Sequence, residues 1–369
     1  MAPTGQVLSD LAATLEARGH QVAVVHSRAR YGARGLLSRV AAEAAFFARA
    51  AVAAGRGPRP DLVLSLTTPP FIGLLGRAVA RRRRAAHVHW VMDVYPDALA
   101  AHGWLAPGRL VFRALGALAR RQLRGAAQVI TLGAAQRARV APYADGPLAT
   151  VPLWSAAAGP APAEAVAAAR AARGWAAGEL VLLYCGNLGR GHRADEFLEA
   201  ARRLGASGPR WAFAGGGARM DGVRSCAAAA PRARIQVLPY VARAELAALL
   251  AAGDVHLCSV RDEWSGLIVP SKLQAAFSAS RPVIFVGRAD SDPGRWLEES
   301  GGGWRVDAGD VAGLLRALEA AADPSERERR GAAARAYAER HFDRSANCAR
   351  IALLLENAAG TAPPAPERA

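Results

Sequence analysis

Apolar residues along the chain alternate between short, nearly continuous runs and longer stretches with helical periodicity. That alternation predicts an α/β protein with parallel sheets, whose strands are buried on both faces and so read as unbroken apolar segments. In the first half the pattern predicts a helix over 6–18, stopped by Gly19 and His20, and strands over 21–26, 62–66, 87–92 and 128–132. In the second half it predicts strands over 180–185, 211–214, 235–238, 255–259 and 282–286. The alanine and proline stretch 156–163 has the composition of a linker, and the Pro/Ala-rich residues 360–369 are expected to be disordered. The expected organisation is therefore a Rossmann-like domain over 1–153, a linker and connecting helix over 154–178, a second Rossmann-like domain over 179–345, and a helix with a tail over 346–369. A Rossmann-like half normally begins with a central strand, and none precedes Met1-Ala2-Pro3-Thr4-Gly5. An upstream start codon supplying that strand is the favoured expectation, because its absence leaves neighbouring strands with unpaired edges.

The length of 369 residues agrees with two domains, and 52% hydrophobic with 21% charged residues excludes a disordered or collagenous chain. The four cysteines, Cys185, Cys226, Cys258 and Cys348, have neither disulfide-framework nor zinc spacing, which favours a reducing compartment. No signal peptide opens the chain. The most apolar long segment, 36–55, is interrupted by Arg39, Glu43 and Arg49, so a soluble or peripheral protein is expected.

The net charge of +16 is unevenly distributed. The first 150 residues hold 20 arginines against seven acidic residues, and of the 47 basic side chains only Lys272 is a lysine. Arg81 to Arg84 end a helical pattern, where cations favour the helix dipole, so a solvated helix end suffices for them. Over 107–125, Arg109, Arg113, Arg120 and Arg124 fall within about 60° of one another on a helix and are interleaved with Leu110, Phe112, Leu115 and Leu118. Such a face suits anionic lipid headgroups, and an ordinary solvated arginine face is the competing reading. No nucleic-acid recognition motif accompanies the charge.

Ligands of open α/β sheets gather at the C-terminal ends of strands, which directs attention to the loops there. After the strand 255–259 comes Arg261-Asp262-Glu263-Trp264-Ser265-Gly266-Leu267, and Pro270-Ser271 then open a helix with Lys272 in its first turn. A lysine there opposes the helix dipole, yet with the free N–H groups it would complete a site for a diphosphate; a solvated lysine on an ordinary helix start is the alternative. Gly186-Asn187-Leu188-Gly189-Arg190-Gly191 and Gly215-Gly216-Gly217 follow strands and permit close backbone approach to a pyrophosphate. Neither is a dinucleotide fingerprint nor a Walker loop, and a purely structural turn is the alternative for each. His87 and His89 alternate on a strand as core or cleft-lining residues. Asp290-Ser291-Asp292 precedes Pro293 and reads as a turn or helix cap before a metal site, and no metal ligand set is expected.

Taken in order, Arg18-Gly19-His20-Gln21-Val22, Leu66-Thr67-Thr68-Pro69-Pro70, Trp90-Val91-Met92-Asp93-Val94-Tyr95-Pro96-Asp97, Tyr184-Cys185-Gly186-Asn187-Leu188-Gly189 and Val269-Pro270-Ser271-Lys272-Leu273 carry a resemblance. The chain resembles the retaining GT-B glycosyltransferases of family four, in particular the bacterial branch that builds capsule, colanic-acid-like and O-antigen polysaccharides. The resemblance spans nearly the whole chain. It implies two Rossmann-like domains with parallel sheets facing a central cleft, a hexosyltransferase-type activity, a nucleotide-sugar donor on the C-terminal domain, a lipid-linked saccharide acceptor, and no cofactor.

Residue by residue, the resemblance assigns Lys272 to the leaving diphosphate, Glu263 to the donor sugar and Asp93 to the acceptor side. The family's second glutamate, eight positions after the first, is Ser271 here. Its arginine and lysine near the start of the C-terminal domain are replaced by Asn187 and His192, with Arg190 or Arg193 as possible helpers. Donor-binding positions implied are Gly186, Asn187, Gly189, His192, Gly215, Gly216, Gly266, Leu267, Pro270 and Ser271, with Tyr240 and Val241 at the base and Gly5 in a loop over the sugar. Met92 stands where many relatives have a histidine, so no role for that histidine carries over, and Asp93 capping the turn before Pro96 is its structural alternative. A nucleotide-sugar epimerase of the same shape, or a non-enzymatic basic binding protein, are the rival readings. A cytoplasmic location on the inner membrane face follows from a lipid-linked acceptor.

Overall fold

The computed structural model describes residues 3–25, 36–155 and 161–360. The chain divides into two compact units, Met1–Pro152 with Ser345–Ala369, and Leu153–Arg344. The C-terminal helix Arg344–Ala359 thus lies almost entirely in the first unit. The helix Ala163–Ala171, expected as a connector, folds into the second unit, where Ala169 and Trp175 pack against Val181, Leu183 and Ala212.

The described sheet of the first unit has four parallel strands, β1 (Leu62–Ser65), β2 (Ala86–Trp90), β3 (Gln128–Thr131) and β4 (Leu148–Thr150), in that order. The first three match the expected strands. The pattern missed β4, whose three residues form too short an apolar run to register alone; pairing of Leu148 with Val129 and of Thr150 with Thr131 defines it. The strand expected over 21–26 is not formed by residues 21–25, where Val24 and Val25 stand 49% and 42% exposed with no partner strand among the described residues. His26 lies outside the described residues, as do 156–160 of the expected linker and 361–369 of the expected tail.

In the second unit, β5 (Val181–Asn187), β6 (Arg210–Gly216), β7 (Ile235–Leu238), β8 (Val255–Ser259), β9 (Val283–Val286) and β10 (Gly303–Val306) form a parallel sheet ordered β10-β9-β8-β5-β6-β7. This is the doubly-wound arrangement, in which strand order reverses between the first and fourth strands of the series, here β5 and β8. Its core is aromatic and aliphatic, with Leu182, Tyr184, Trp211, Phe213 and Ile284 fully buried. Each buried side chain such as Leu182 or Phe213 contributes about 2 kcal/mol relative to exposure. The edge strand β10 escaped the sequence pattern because it is only four residues long and Arg305 breaks its apolar run.

One ion cluster ties the N-terminal helix region of the first unit to its C-terminal helix. Glu356, only 4% exposed, receives Arg18 Nε and Nη2 at 2.7 Å each and contacts His20 Nε2 at 2.9 Å. Hydrogen bonding from Arg18 outweighs burial and holds the Glu356 carboxyl down at about 2. A carboxyl lowered from 4.5 to about 2 stabilises the fold above the unfolded value, and that contribution disappears as pH falls through about 4.5 to 2. Glu356→Gln is therefore expected to lower Tm at neutral pH by several degrees and to lose less stability than the parent between pH 4.5 and 2. Parallel melting curves for the two proteins across that window would contradict this account of the cluster.

Candidate functional site

The reversal of strand order in the second unit leaves a crevice beyond the C-terminal ends of β5 and β8, and the loops leaving these two strands are cross-linked there. Arg261 N donates to Gly191 O at 2.9 Å, Arg193 N donates to Ser259 Oγ at 3.0 Å, and Ser259 Oγ donates back to Arg193 O at 2.7 Å. Gly191 has no room for a side chain, since a Cβ there would stand 2.8 Å from Ile268 Cδ1 and 3.0 Å from Trp264.

Within this frame the Lys272 side chain runs beside Gly186, its ammonium 5.1 Å from the centre of the Tyr184 ring and 3.1 Å from His192 Nε2. His192 Nδ1 lies 2.6 Å from the Ser259 carbonyl oxygen. Burial, with the neighbouring Lys272 charge, depresses His192 to about 3, and burial lowers Lys272 to about 8. Sequence reasoning placed Lys272 at the opening of a helix, and Lys272–Ser278 is that helix, preceded by the exposed Ser271.

The glycine turns are also where expected. Gly186 has φ +123° and Gly215 φ +130°, and a Cβ on Gly215 would collide with Gly186 O at 2.3 Å. Leu188 N donates to Gly216 O at 2.7 Å, closing the two strand ends against each other. Gly189 lies beside the Asn187 side chain, which is exposed. Tyr240, 64% exposed, rests on Gly216, where a Cβ would meet its ring at 3.0 Å, and Val241 is half-buried behind it. Gly266, Leu267 and Pro270 are buried in the loop that leads to Lys272. Glu263 is exposed in a single helical turn and pairs with Arg261 at 3.1 Å. Arg193 does not serve as a free helper, because its guanidinium is engaged by Glu196 at 2.7 Å; Arg190 is exposed and makes no ion pair among the described residues.

In the first unit, Asp93 follows β2 in a segment held by two buried polar side chains that sequence reasoning missed. Thr67 Oγ1 accepts from both Met92 N and Asp93 N at 3.0 Å, and Gln136 Nε2 donates to Met92 O at 3.0 Å. Thr67 belongs to the Thr67-Thr68-Pro69-Pro70 string, and that string was the available signal. Burial raises the Asp93 carboxyl to about 6. Gly5 does not lie in a loop. It is part of the helix Pro3–Ala17, with its carbonyl accepting from Ser9 Oγ at 2.9 Å, because nothing in Thr4-Gly5-Gln6 stops helical hydrogen bonding. His87 and His89 are core residues joined through Ser65 Oγ at 2.9 and 2.8 Å, and burial holds them neutral at about 4 and about 3. Asp290-Ser291-Asp292 is a helix start, with Ser291 Oγ accepting from Gly294 N at 3.2 Å. Among the described residues no three histidine, cysteine or carboxylate side chains are grouped to hold a metal.

Residues 179–323, within the second unit, match the family model described as Glycosyl transferases group 1. Among curated proteins the chain is 26% identical over 291 residues to the probable glycosyltransferase WbjE of Pseudomonas aeruginosa. That match covers 72% of this chain and 66% of WbjE, just under two thirds of the relative's length. Among solved structures, Anabaena Alr3699/HepE in complex with UDP and glucose superposes with a TM-score of 0.68 at 16% identity, covering 94% of each chain. Sucrose-phosphate synthase (tll1590) from Thermosynechococcus elongatus gives 0.70 at 16% identity, covering 95% of this chain and 92% of that one. WaaG, a glycosyltransferase involved in lipopolysaccharide biosynthesis, gives 0.64 at 16% identity over 95% of both. At these identities the structures establish the fold, which is GT-B with two Rossmann-like domains.

The raised Asp93 carboxyl has a consequence for stability. Between the unfolded value near 3.8 and the folded value near 6, the unfolded chain ionises while the folded one stays protonated, so folding loses free energy as pH rises through that window. Asp93→Asn removes the titration. Its Tm relative to the parent is expected to be higher at pH 7.5 than at pH 4 by about 5–10 °C. An equal offset at both pH values would show that Asp93 is not held in this way.

Proposed function

We propose that the protein is a glycosyltransferase that moves a sugar from a UDP- or GDP-linked donor to a lipid-linked saccharide, with retention of configuration, in extracellular polysaccharide or O-antigen assembly. The observation that carries the reading is the Lys272 side chain, whose aliphatic stem runs beside Gly186 and whose ammonium meets His192, at the strand-order reversal of a domain matching the group 1 glycosyl transferases. Breaking the bond between sugar and diphosphate leaves negative charge on the departing phosphate, and a fixed cation in a partly dry site stabilises that charge as it develops. The tight turns at Gly186 and Gly215 let backbone approach the diphosphate, and exposed Tyr240 offers a face to the base. Glu263 and Ser271, both exposed at the same loop, are assigned to the donor sugar and ribose. In this reading the acceptor hydroxyl attacks from the face the diphosphate leaves, and the leaving phosphate oxygen takes its proton. No metal or cofactor is assigned a role.

The acceptor and location are read from the first unit. Arg77, Arg81, Arg120, Arg121 and Arg124 line one groove of about 430 Å³ between the helices Ile72–Arg83 and Leu110–Leu123, and none has an ion pair among the described residues. Leu110 and Val111, 79% and 58% exposed, open the second of these helices. Exposed Arg109 and Arg113 flank Leu110 and Val111, and this apolar and basic helix start together with the arginine groove suits an anionic membrane surface on the cytoplasmic face, where a lipid-linked saccharide is presented.

Lys272→Ala is expected to reduce transfer from the matching UDP- or GDP-sugar by about a hundredfold or more. Activity within about threefold of the parent, under ~1 kcal/mol, would overturn the assignment. Sedimentation with vesicles containing anionic phospholipid tests the groove. Removing the charges of Arg120, Arg121 and Arg124 together is expected to weaken partitioning by roughly a hundredfold, at about 1 kcal/mol each. Undiminished binding would exclude the groove as the membrane contact.

A further inference from the structure

Lys272 is the chain's single lysine, and it sits in an unusual position. It is half-buried, begins a helix whose dipole opposes a positive charge, and makes no ion pair among the described residues. The groups around it are Tyr184 and Cys185 of β5, Cys258 of β8 and His192 of the loop after β5. Neither cysteine is ionised near neutrality, because burial pushes both thiols up to about 11. An ammonium so placed needs an acceptor, and the only hydrogen-bonding partner it has among the described residues is His192 Nε2 at 3.1 Å.

The protonation pattern of that imidazole follows from its other contact. A carbonyl oxygen only accepts, so the 2.6 Å approach of Nδ1 to Ser259 O requires the proton on Nδ1. In the neutral ring Nε2 then carries a lone pair, directed at Nζ of Lys272. Ser259 is itself fixed by its paired hydrogen bonds to the backbone of Arg193, so carbonyl, imidazole and ammonium form one chain with a defined direction.

We infer that His192 is a positioning residue: a neutral acceptor, oriented by the Ser259 carbonyl, that keeps Lys272 in its charged form and holds it beside Gly186, rather than a cation that itself meets the phosphates. This rests on the reading of Lys272 as the diphosphate ligand for its functional meaning, but the hydrogen-bond chain exists without it. A protonated His192 would set two cations 3.1 Å apart, and the depression of the imidazole to about 3 keeps the acceptor available across the working pH range. Lys272 itself, lowered to about 8, lies close enough to neutrality for the loss of one acceptor to change its charge state.

Two substitutions separate the contacts. His192→Asn ends near the position of Nδ1, so it keeps a donor to Ser259 and deletes the acceptor at Lys272; His192→Gln extends to the position of Nε2 and restores an acceptor. Because the protein has one lysine, ¹³C-lysine labelling gives a single side-chain resonance whose pH titration reads the ammonium directly. The expected midpoint is near 8 in the parent, at least about one unit lower in His192→Asn, and back within about half a unit of the parent in His192→Gln. An unchanged midpoint in a folded His192→Asn protein would overturn the inference, as would failure of His192→Gln to restore it. Calorimetric titration with UDP and GDP supplies the second readout. Affinity is expected to fall above about pH 8 in the parent and about one unit lower in His192→Asn, with the two alike near pH 6. A uniform loss at every pH would mark a merely structural role. If the parent bound neither nucleotide at any pH, the diphosphate reading would fail while the lysine titration still decided the role of His192.

Discussion

An ammonium without a carboxylate partner is the constraint around which the second unit's ligand end is built. Burying a cation is costly unless it is hydrogen-bonded, and a carboxylate partner for Lys272 would solve that problem while cancelling the charge wanted for an anionic ligand. A neutral imidazole gives directional support without neutralising the cation. That solution needs the imidazole to be oriented, the Ser259 carbonyl to be fixed, and the loops after β5 and β8 to be locked together, which is what the Arg193–Ser259 and Arg261–Gly191 hydrogen bonds do. Sheet order supplies the precondition, since only the reversal between β5 and β8 leaves these two loops side by side over an open end of the sheet.

The same economy governs the glycines. Gly215 is required because any side chain there would strike the Gly186 carbonyl, and Gly217 because a Cβ would stand 2.4 Å from Leu188 O. Their absence of side chains brings the ends of β5 and β6 into contact and leaves backbone at the ligand end. Tyr240 then lies on Gly216 with most of its ring still exposed. The exposed backbone at the strand ends and the aromatic platform therefore share one steric cause.

Much of this was legible in the sequence, for a definite reason. Strands buried on both faces, such as those of Leu182, Phe213 and Leu257, leave continuous apolar runs, so β5, β6 and β8 could be placed to within about two residues. Edge strands do not leave such runs: β4 is three residues long and β10 is interrupted by Arg305, so pairing alone reveals them. Gly5 misled because the resemblance alone placed it in a loop, while the helix Pro3–Ala17 around it is decided by its neighbours. His192 was legible as a site residue but not in its role. Its two contacts reach 67 and 80 residues along the chain, and no local pattern encodes which ring nitrogen carries the proton.

The two units also differ in how they treat arginine, and the difference bears on what each is for. In the second unit arginines are mostly matched internally: Arg170 with Asp254, Arg193 with Glu196, and Arg210 and Arg234 with Glu179. That neutralisation leaves Lys272 and the exposed Arg190 of the loop after β5 as the cations without an ion pair at this end of the sheet among the described residues. In the first unit the five arginines of the groove between Ile72–Arg83 and Leu110–Leu123 have few acids to meet, because residues 51–150 contain four aspartates and no glutamate. Like charges gathered on two helices repel one another, and the repulsion is relieved only by an outside anion or by salt. The second unit offsets most of its guanidinium charge internally, whereas the first unit leaves its arginines largely unpaired among the described residues and gathers five of them in this groove, which suits an external anionic partner.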